Sequence, residues 1–181
     1  MRNRLFKIGL AGIATLVGAS SLMAGDDGDR NRGRDRTKFV VTAQLKGYNE
    51  VPSSLSTTGH GTFWAQVDTE ANTITFKLTY DALEGSVTQA HVHFGSRFTA
   101  GGISYFLCTN QANGPAGTQA CPAAPGEVTG VITPEIVIGP AAQGIAAQQF
   151  DEIVAAMRAG IAYANVHSSL YPAGEIRGQL H

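Results

Sequence analysis

Two imidazoles one residue apart, His91 and His93 in the run Ala90-His91-Val92-His93-Phe94, are the part of this 181-residue sequence best suited to chemistry. In an extended strand alternate side chains share a face. His91 and His93 therefore point one way with Gln89, while Ala90, Val92 and Phe94 point the other. Two imidazoles held at that spacing on rigid backbone form a chelate suited to copper or zinc. The same pattern on a polar face also makes a hydrogen-bonded pair, and spacing alone leaves both readings open. A second run, Ala162-Tyr163-Ala164-Asn165-Val166-His167, sets Tyr163, Asn165 and His167 on one face. If the two strands meet, His91, His93 and His167 converge as metal ligands with Asn165 beside them.

Other polar groups complete the inventory. In Pro172-Ala173-Gly174-Glu175-Ile176-Arg177-Gly178-Gln179-Leu180, the residues Glu175, Arg177 and Gln179 share a face opposite Ile176 and Leu180. Glu175 and Arg177 are expected to pair and fix the strand; alternatively Arg177 orients an anion near the histidines. His60 lies between two glycines in a turn-like stretch, and His181 ends the chain, where disorder is common. No Gly-x-Ser-x-Gly elbow, P-loop or dinucleotide fingerprint is present, so no catalytic residue is assigned.

The elements that must position these groups follow from hydrophobic periodicity. Phe39–Leu45, Gly61–Val67 and Thr73–Tyr80 alternate with period two and predict strands; the short polar connector 68–72 makes the second and third an antiparallel hairpin. Further strands are predicted at Val87–Phe94, Ser104–Leu107, Glu127–Ile132, Ile161–His167 and Glu175–Leu180. Within Ala146–Ala159, Phe150, Ile153, Val154 and Met157 form a helical stripe that packs on the sheet, with Gly160 placed as a C-terminal cap. Many short strands, 22 glycines, 7 prolines and one short helix predict an all-β antiparallel sandwich or barrel.

The ends and the charge bound the compartment. Arg2, Arg4 and Lys7, then an apolar run from Ile8 to Val17 and small residues near Ala24, predict a secretory signal peptide over residues 1–24. A retained membrane anchor is the competing reading; the run falls short of the roughly 20 apolar residues a spanning helix needs. Residues 25–37 read as a flexible charged linker and 38–181 as one domain. Removing the signal moves the net charge from -1 (13 minus 14) to -4 (10 minus 14), which argues against a nucleic-acid partner. No later stretch is apolar enough to span a bilayer, so a soluble secreted or periplasmic protein is expected. Cys108 and Cys121 are most simply a disulfide in that compartment, closing a loop at a gain of about 3 kcal/mol. A free thiol pair or a soft-metal site is the alternative.

Taken together, Ala90-His91-Val92-His93, Arg158-Ala159-Gly160, Tyr163-Ala164-Asn165-Val166-His167-Ser168 and Tyr171-Pro172-Ala173-Gly174-Glu175-Ile176-Arg177-Gly178-Gln179-Leu180 resemble the CHRD domain, a module named for chordin and found in bacterial exported proteins. Glu50-Val51-Pro52, Thr58-Gly59 and Leu78-Thr79-Tyr80 with Leu83 match too, so the resemblance runs from about Phe39 to Leu180. It implies an immunoglobulin-like β-fold with a distant likeness to copper–zinc superoxide dismutase. That likeness adds weight to His91-Val92-His93 as copper ligands. This sequence has no matching bridging histidine and no acidic zinc site, so dismutation does not carry over. Two functions are expected to compete: a non-catalytic binding or structural module with an unknown protein partner, and a copper- or zinc-binding protein with a redox role. A surface adhesion or matrix role rests on family context alone.

Overall fold

The computed structural model describes residues 37–181; the expected signal peptide and all but the last residue of the expected linker lie outside the described residues. Period-two stretches become strands because alternation lets each one bury a single apolar face. Among the described residues eight strands form: β1 (Lys38–Lys46), β2 (His60–Asp68), β3 (Thr73–Asp81), β4 (Val87–Phe94), β5 (Gly102–Thr109), β6 (Gly126–Ile132), β7 (Ala162–Ser168) and β8 (Ile176–Gln179). Every predicted strand is present, with ends within two residues of expectation. The strands make one antiparallel sheet in the order β5-β4-β7-β8-β1-β2-β3-β6, nearly closed into a barrel.

The β2–β3 hairpin forms as expected, with Asp68 opposite Thr73 and the Asp68 carboxylate accepting the Glu70 and Ala71 amides in the turn. Leu45, Phe63, Val67, Ile74, Phe76 and Leu78 point into the barrel and are buried. On β6, Gly130 and Gly126 lie opposite Phe76 and Tyr80. Any Cβ there would run into those rings, so glycine lets each aromatic lie across the neighbouring strand.

The seam between the edge strands β5 and β6 is closed by side chains. Gln119 Nε2 donates to Leu107 O on β5 (3.2 Å) and to Thr129 O on β6 (2.9 Å). Gln119 is held there because Cys121, two residues on, is disulfide-bonded to Cys108 of β5. The bridge protects two edges that would otherwise expose unpaired backbone groups.

The helix α1 spans Phe150–Arg158, four residues shorter at its start than the periodicity suggests. Gln148 takes a left-handed φ of 69°, which stops the helix from beginning earlier. Its predicted stripe is buried in the core. Gly160 has φ 68°; Gly160 N–H donates to Met157 O and Ile161 N–H to Ala156 O, the paired bonds of a Schellman ending.

Two histidine expectations need correction. His60 opens β2, opposite Lys46 and Asp81, because the strand runs one residue further than its apolar alternation. His181 is not frayed: its backbone N–H and C=O exchange hydrogen bonds with Thr42 (3.1 and 2.9 Å), extending the alignment of β8 with β1. Among the described residues no helix is long and apolar enough to cross a membrane.

Candidate metal centre

The two histidine runs lie side by side. β4 pairs antiparallel with β7, setting Gln89 opposite His167, His91 opposite Asn165 and His93 opposite Tyr163. β7 continues onto β8, where Asn165 meets Arg177 and Tyr163 meets Gln179. Alternation sends Ala90, Val92, Ala164 and Val166 into the barrel core and the polar set to the outer face. Register shifts against β5 occur between Ala90 and His91 and between Val92 and His93; such bulges re-aim side chains beside sites.

This outer face is covered. His91, His93 and His167 are 0%, 7% and 6% exposed. The Phe106 ring of β5 stands edge-on to His91 at 4.4 Å, and the Tyr163 ring stacks on His93 at 4.7 Å and 4°. The segment between β4 and β5 brings Gly101 O to 2.9 Å from His93 Nδ1. A Cβ on Gly101 would overlap the Phe94 carbonyl, so only glycine brings that oxygen so close. The segment after β7 brings Pro172 O to 3.0 Å from His167 Nδ1.

These contacts fix the ring states. A carbonyl only accepts, so Nδ1 carries the proton in both His93 and His167 and each Nε2 presents a lone pair. His167 Nε2 faces His91 Nδ1 at 3.2 Å, a contact that needs a proton or a metal ion between the two nitrogens. His91 Nε2 and His93 Nε2 are buried with no hydrogen-bond partner. Such orphaned groups cost about 1–3 kcal/mol each. One nitrogen from each ring lies within 4.8 Å of the others. Anchoring the second ring nitrogen on a carbonyl is how metal-binding histidines are commonly oriented. The donor set therefore fits copper or zinc.

Burial keeps all three rings neutral. It is the largest cause of the shift in each: His91 falls from 6.5 to about 2, helped by His167 and His93, and His93 to about 4. Hydrogen bonding to Gly101 raises His93, while His167 and Arg177 lower it. His167 is lowered by burial against the opposing bond to Pro172. Neutral imidazole is the form that binds metal.

The expected supporting residues divide. Asn165 sits beside the histidines; its Nδ2 donates to Glu50 Oε2 at 3.4 Å, and its Oδ1 is buried without a partner. Arg177 is also close by, its guanidinium 3.5 Å from the centre of the Tyr163 ring that stacks on His93. Its Nη2 donates to Ser96 O (2.8 Å) and Thr99 O (3.0 Å), clamping the β4–β5 segment. The expected Glu175–Arg177 ion pair does not form. Glu175 Oε1 instead accepts Thr57 Oγ1 (2.8 Å) and the Glu84 amide (2.7 Å), tying two loops together because those donors reach it first. Arg177 also borders a cavity of about 230 Å³ with Lys46 and Arg97.

Glu50 is the residue that periodicity misses. It lies outside any strand and reaches the site over 115 positions of sequence; only its place in the Glu50-Val51-Pro52 motif marks it. Burial pushes its carboxyl up to about 7, against the lowering effects of Arg177 and Asn165. Gly174, at φ 133°, closes this corner: a Cβ there would lie 2.7 Å from Asn165 Nδ2 and 2.8 Å from Glu50 Oε1.

Comparison with known proteins agrees with this architecture. No curated protein and no solved structure matches the chain. The CHRD domain family matches residues 41–180, a span that holds all eight strands but the first residues of β1, the disulfide and the three histidines. The chain belongs to the CHRD domain family.

Proposed function

We propose that this chain is an exported, non-catalytic binding module, and that its three-histidine centre holds one copper or zinc ion. The observation that carries the reading is the convergence of three buried, neutral imidazoles, two with orphaned Nε2 atoms and two oriented by carbonyls. A buried lone pair without a donor is destabilising, and an ion bound at His93 Nε2 offsets that cost; with His91 bound through Nδ1, its Nε2 carries the ring proton. Export agrees with the basic-apolar-small pattern of residues 1–24 and with the Cys108–Cys121 disulfide. When bound, the ion supplies a Lewis-acid or one-electron centre. The chain's own residues hold and shield it: Phe106 and Tyr163 exclude water, while Gly101 O and Pro172 O fix the ring tautomers. Such shielding favours holding an ion over turning over a substrate.

Metal analysis by mass spectrometry after loading with copper or zinc and desalting tests the reading. About one ion per chain is expected in the wild type. Each of His91→Ala, His93→Ala and His167→Ala is expected to lose it. A wild-type protein that emerges metal-free sinks the proposal and leaves the histidines a structural polar cluster.

A further inference from the structure

We infer that the three-histidine centre selects monovalent copper, Cu(I), over zinc and Cu(II). The inference rests on the metal-binding reading above and adds the charge and coordination number of the ion.

Charge comes first. The ligand cluster consists of His91, His93 and His167, three neutral donors with no carboxylate or thiolate among them. Both cysteines are committed to the disulfide. The buried acids point elsewhere: Glu175 to Thr57 and the Glu84 amide, Glu50 to Asn165. Positive charge lies close to the rings: the Arg177 guanidinium sits over the Tyr163 ring, which also stacks on His93. The cost of placing an ion in a low-dielectric site grows with the square of its charge, so a divalent ion carries about four times the penalty of a monovalent one. A structural zinc site offsets that penalty with thiolates, and a three-histidine zinc site with a bound water or hydroxide in the fourth position; this cluster has neither thiolate nor carboxylate.

Coordination number points the same way. Zinc takes four ligands, and Cu(II) prefers a tetragonal set of four or more. Here the cluster offers three imidazole donors, on a face where His91 is fully buried under Phe106. Cu(I) has a filled d shell and is satisfied by three donors in a plane. Three bonds of about 2.0 Å at equal angles set the nitrogens roughly 3.5 Å apart. His91 Nδ1 and His167 Nε2, at 3.2 Å, already stand close to that spacing. One nitrogen from each of the three rings already lies within 4.8 Å of the others, so gathering them on a three-coordinate ion asks for an inward adjustment on the order of 1 Å.

Anaerobic titration of the purified wild-type domain into the Cu(I)–bicinchoninate complex tests this, read by loss of the complex's colour. Zinc and Cu(II) are measured in parallel by competition with a chromophoric chelator. The expected result is one Cu(I) withdrawn per chain, held at least about 100-fold more tightly than zinc. X-ray absorption at the copper edge is expected to show three nitrogen neighbours. His93→Ala is expected to weaken Cu(I) by about 100-fold while the metal-free variant keeps a cooperative melt. Zinc or Cu(II) bound as tightly as Cu(I) overturns the selectivity and leaves the metal-binding reading standing. Failure of all three ions to bind overturns both. The wild-type comparison among ions decides the matter even if the His93 variant does not fold.

Discussion

Strands β1, β2, β3 and β6 make one wall of the barrel, and β5, β4, β7 and β8 the other; both obey the same period-two rule, yet their outer faces differ. On β2 burial strictly alternates, with Thr62, Trp64 and Gln66 in solvent, whereas every residue of β7 is buried on both faces. Among the described residues, every buried polar side-chain atom without a hydrogen-bond partner lies on the second wall or on Glu50, which packs against it. A fold selected for stability alone would not gather these groups on one wall, because each costs more buried and unpaired than it would in water. The loops over β4, β7 and β8 therefore do more than seal a core. They bury a polar face, and that face is where the histidines meet.

The largest effect is expected from cutting the clamp that holds the cover down. Arg177→Met keeps the bulk of the side chain but removes the donors to Ser96 O and Thr99 O and the cation over Tyr163. Hydrogen bonds from a charged donor and a buried cation–π contact together predict a loss of about 3 kcal/mol in urea unfolding. Faster hydrogen exchange is expected across residues 95–101, the segment that loses its anchor. A loss below about 1 kcal/mol would mean that packing alone holds the cover, and the two walls would then differ only in appearance.

Acid is a milder probe. In the metal-free protein, His93 sits near 4 and His91 near 2, both from 6.5, and His167 is lowered as well. Protons that the fold refuses are taken up by the unfolded chain. The histidine contribution is therefore complete above pH 6.5 and is lost progressively as pH falls towards 4. Glu50 has the opposite sign. Its carboxyl is raised from 4.5 to about 7, so its contribution is present below 4.5 and is lost as pH rises through 7. Between 6.5 and 4.5 acidification thus costs the contribution of three imidazoles and regains that of one carboxyl, a net loss. Thermal melts of the metal-free protein across this window are expected to show falling stability, and a steeper fall in Glu50→Gln. A flat profile would contradict the burial of the histidines.

The two walls also differed in how readily they could be read from sequence. Alternation in Phe39–Leu45, Gly61–Val67 and Thr73–Tyr80 is a local signal, because one face of each strand meets water and the other meets oil. The histidine faces of β4 and β7 were equally legible, and so was the possibility of their meeting. Their depth was not. Burial of that outer face depends on Gly101, Pro172 and Glu50, supplied by loops whose positions no periodicity encodes. The Glu175–Arg177 pair failed for a related reason: same-face spacing makes pairing available, but the Glu84 amide, Thr57 and the Ser96 and Thr99 carbonyls compete for those groups across the fold.

The smallest expected effect comes from repeating the cation-to-methionine change on the other wall. Lys77 lies on β3, between Trp64 of β2 and Thr129 of β6, and pairs with Glu127 at 2.6 Å; both side chains are about half exposed. An exposed pair gains little, because water screens the attraction and two long side chains must be ordered to make it. Lys77→Met is therefore expected to change urea stability by no more than about 0.5 kcal/mol, and to leave the melt insensitive to added salt. The methionine stem covers the same strip of sheet that the lysine stem covered, which limits any packing loss. If Lys77→Met proved as costly as Arg177→Met, the outer face of the open wall would be as organised as the covered one. The contrast between the walls would then have to be sought in the loops, not in the charges they enclose.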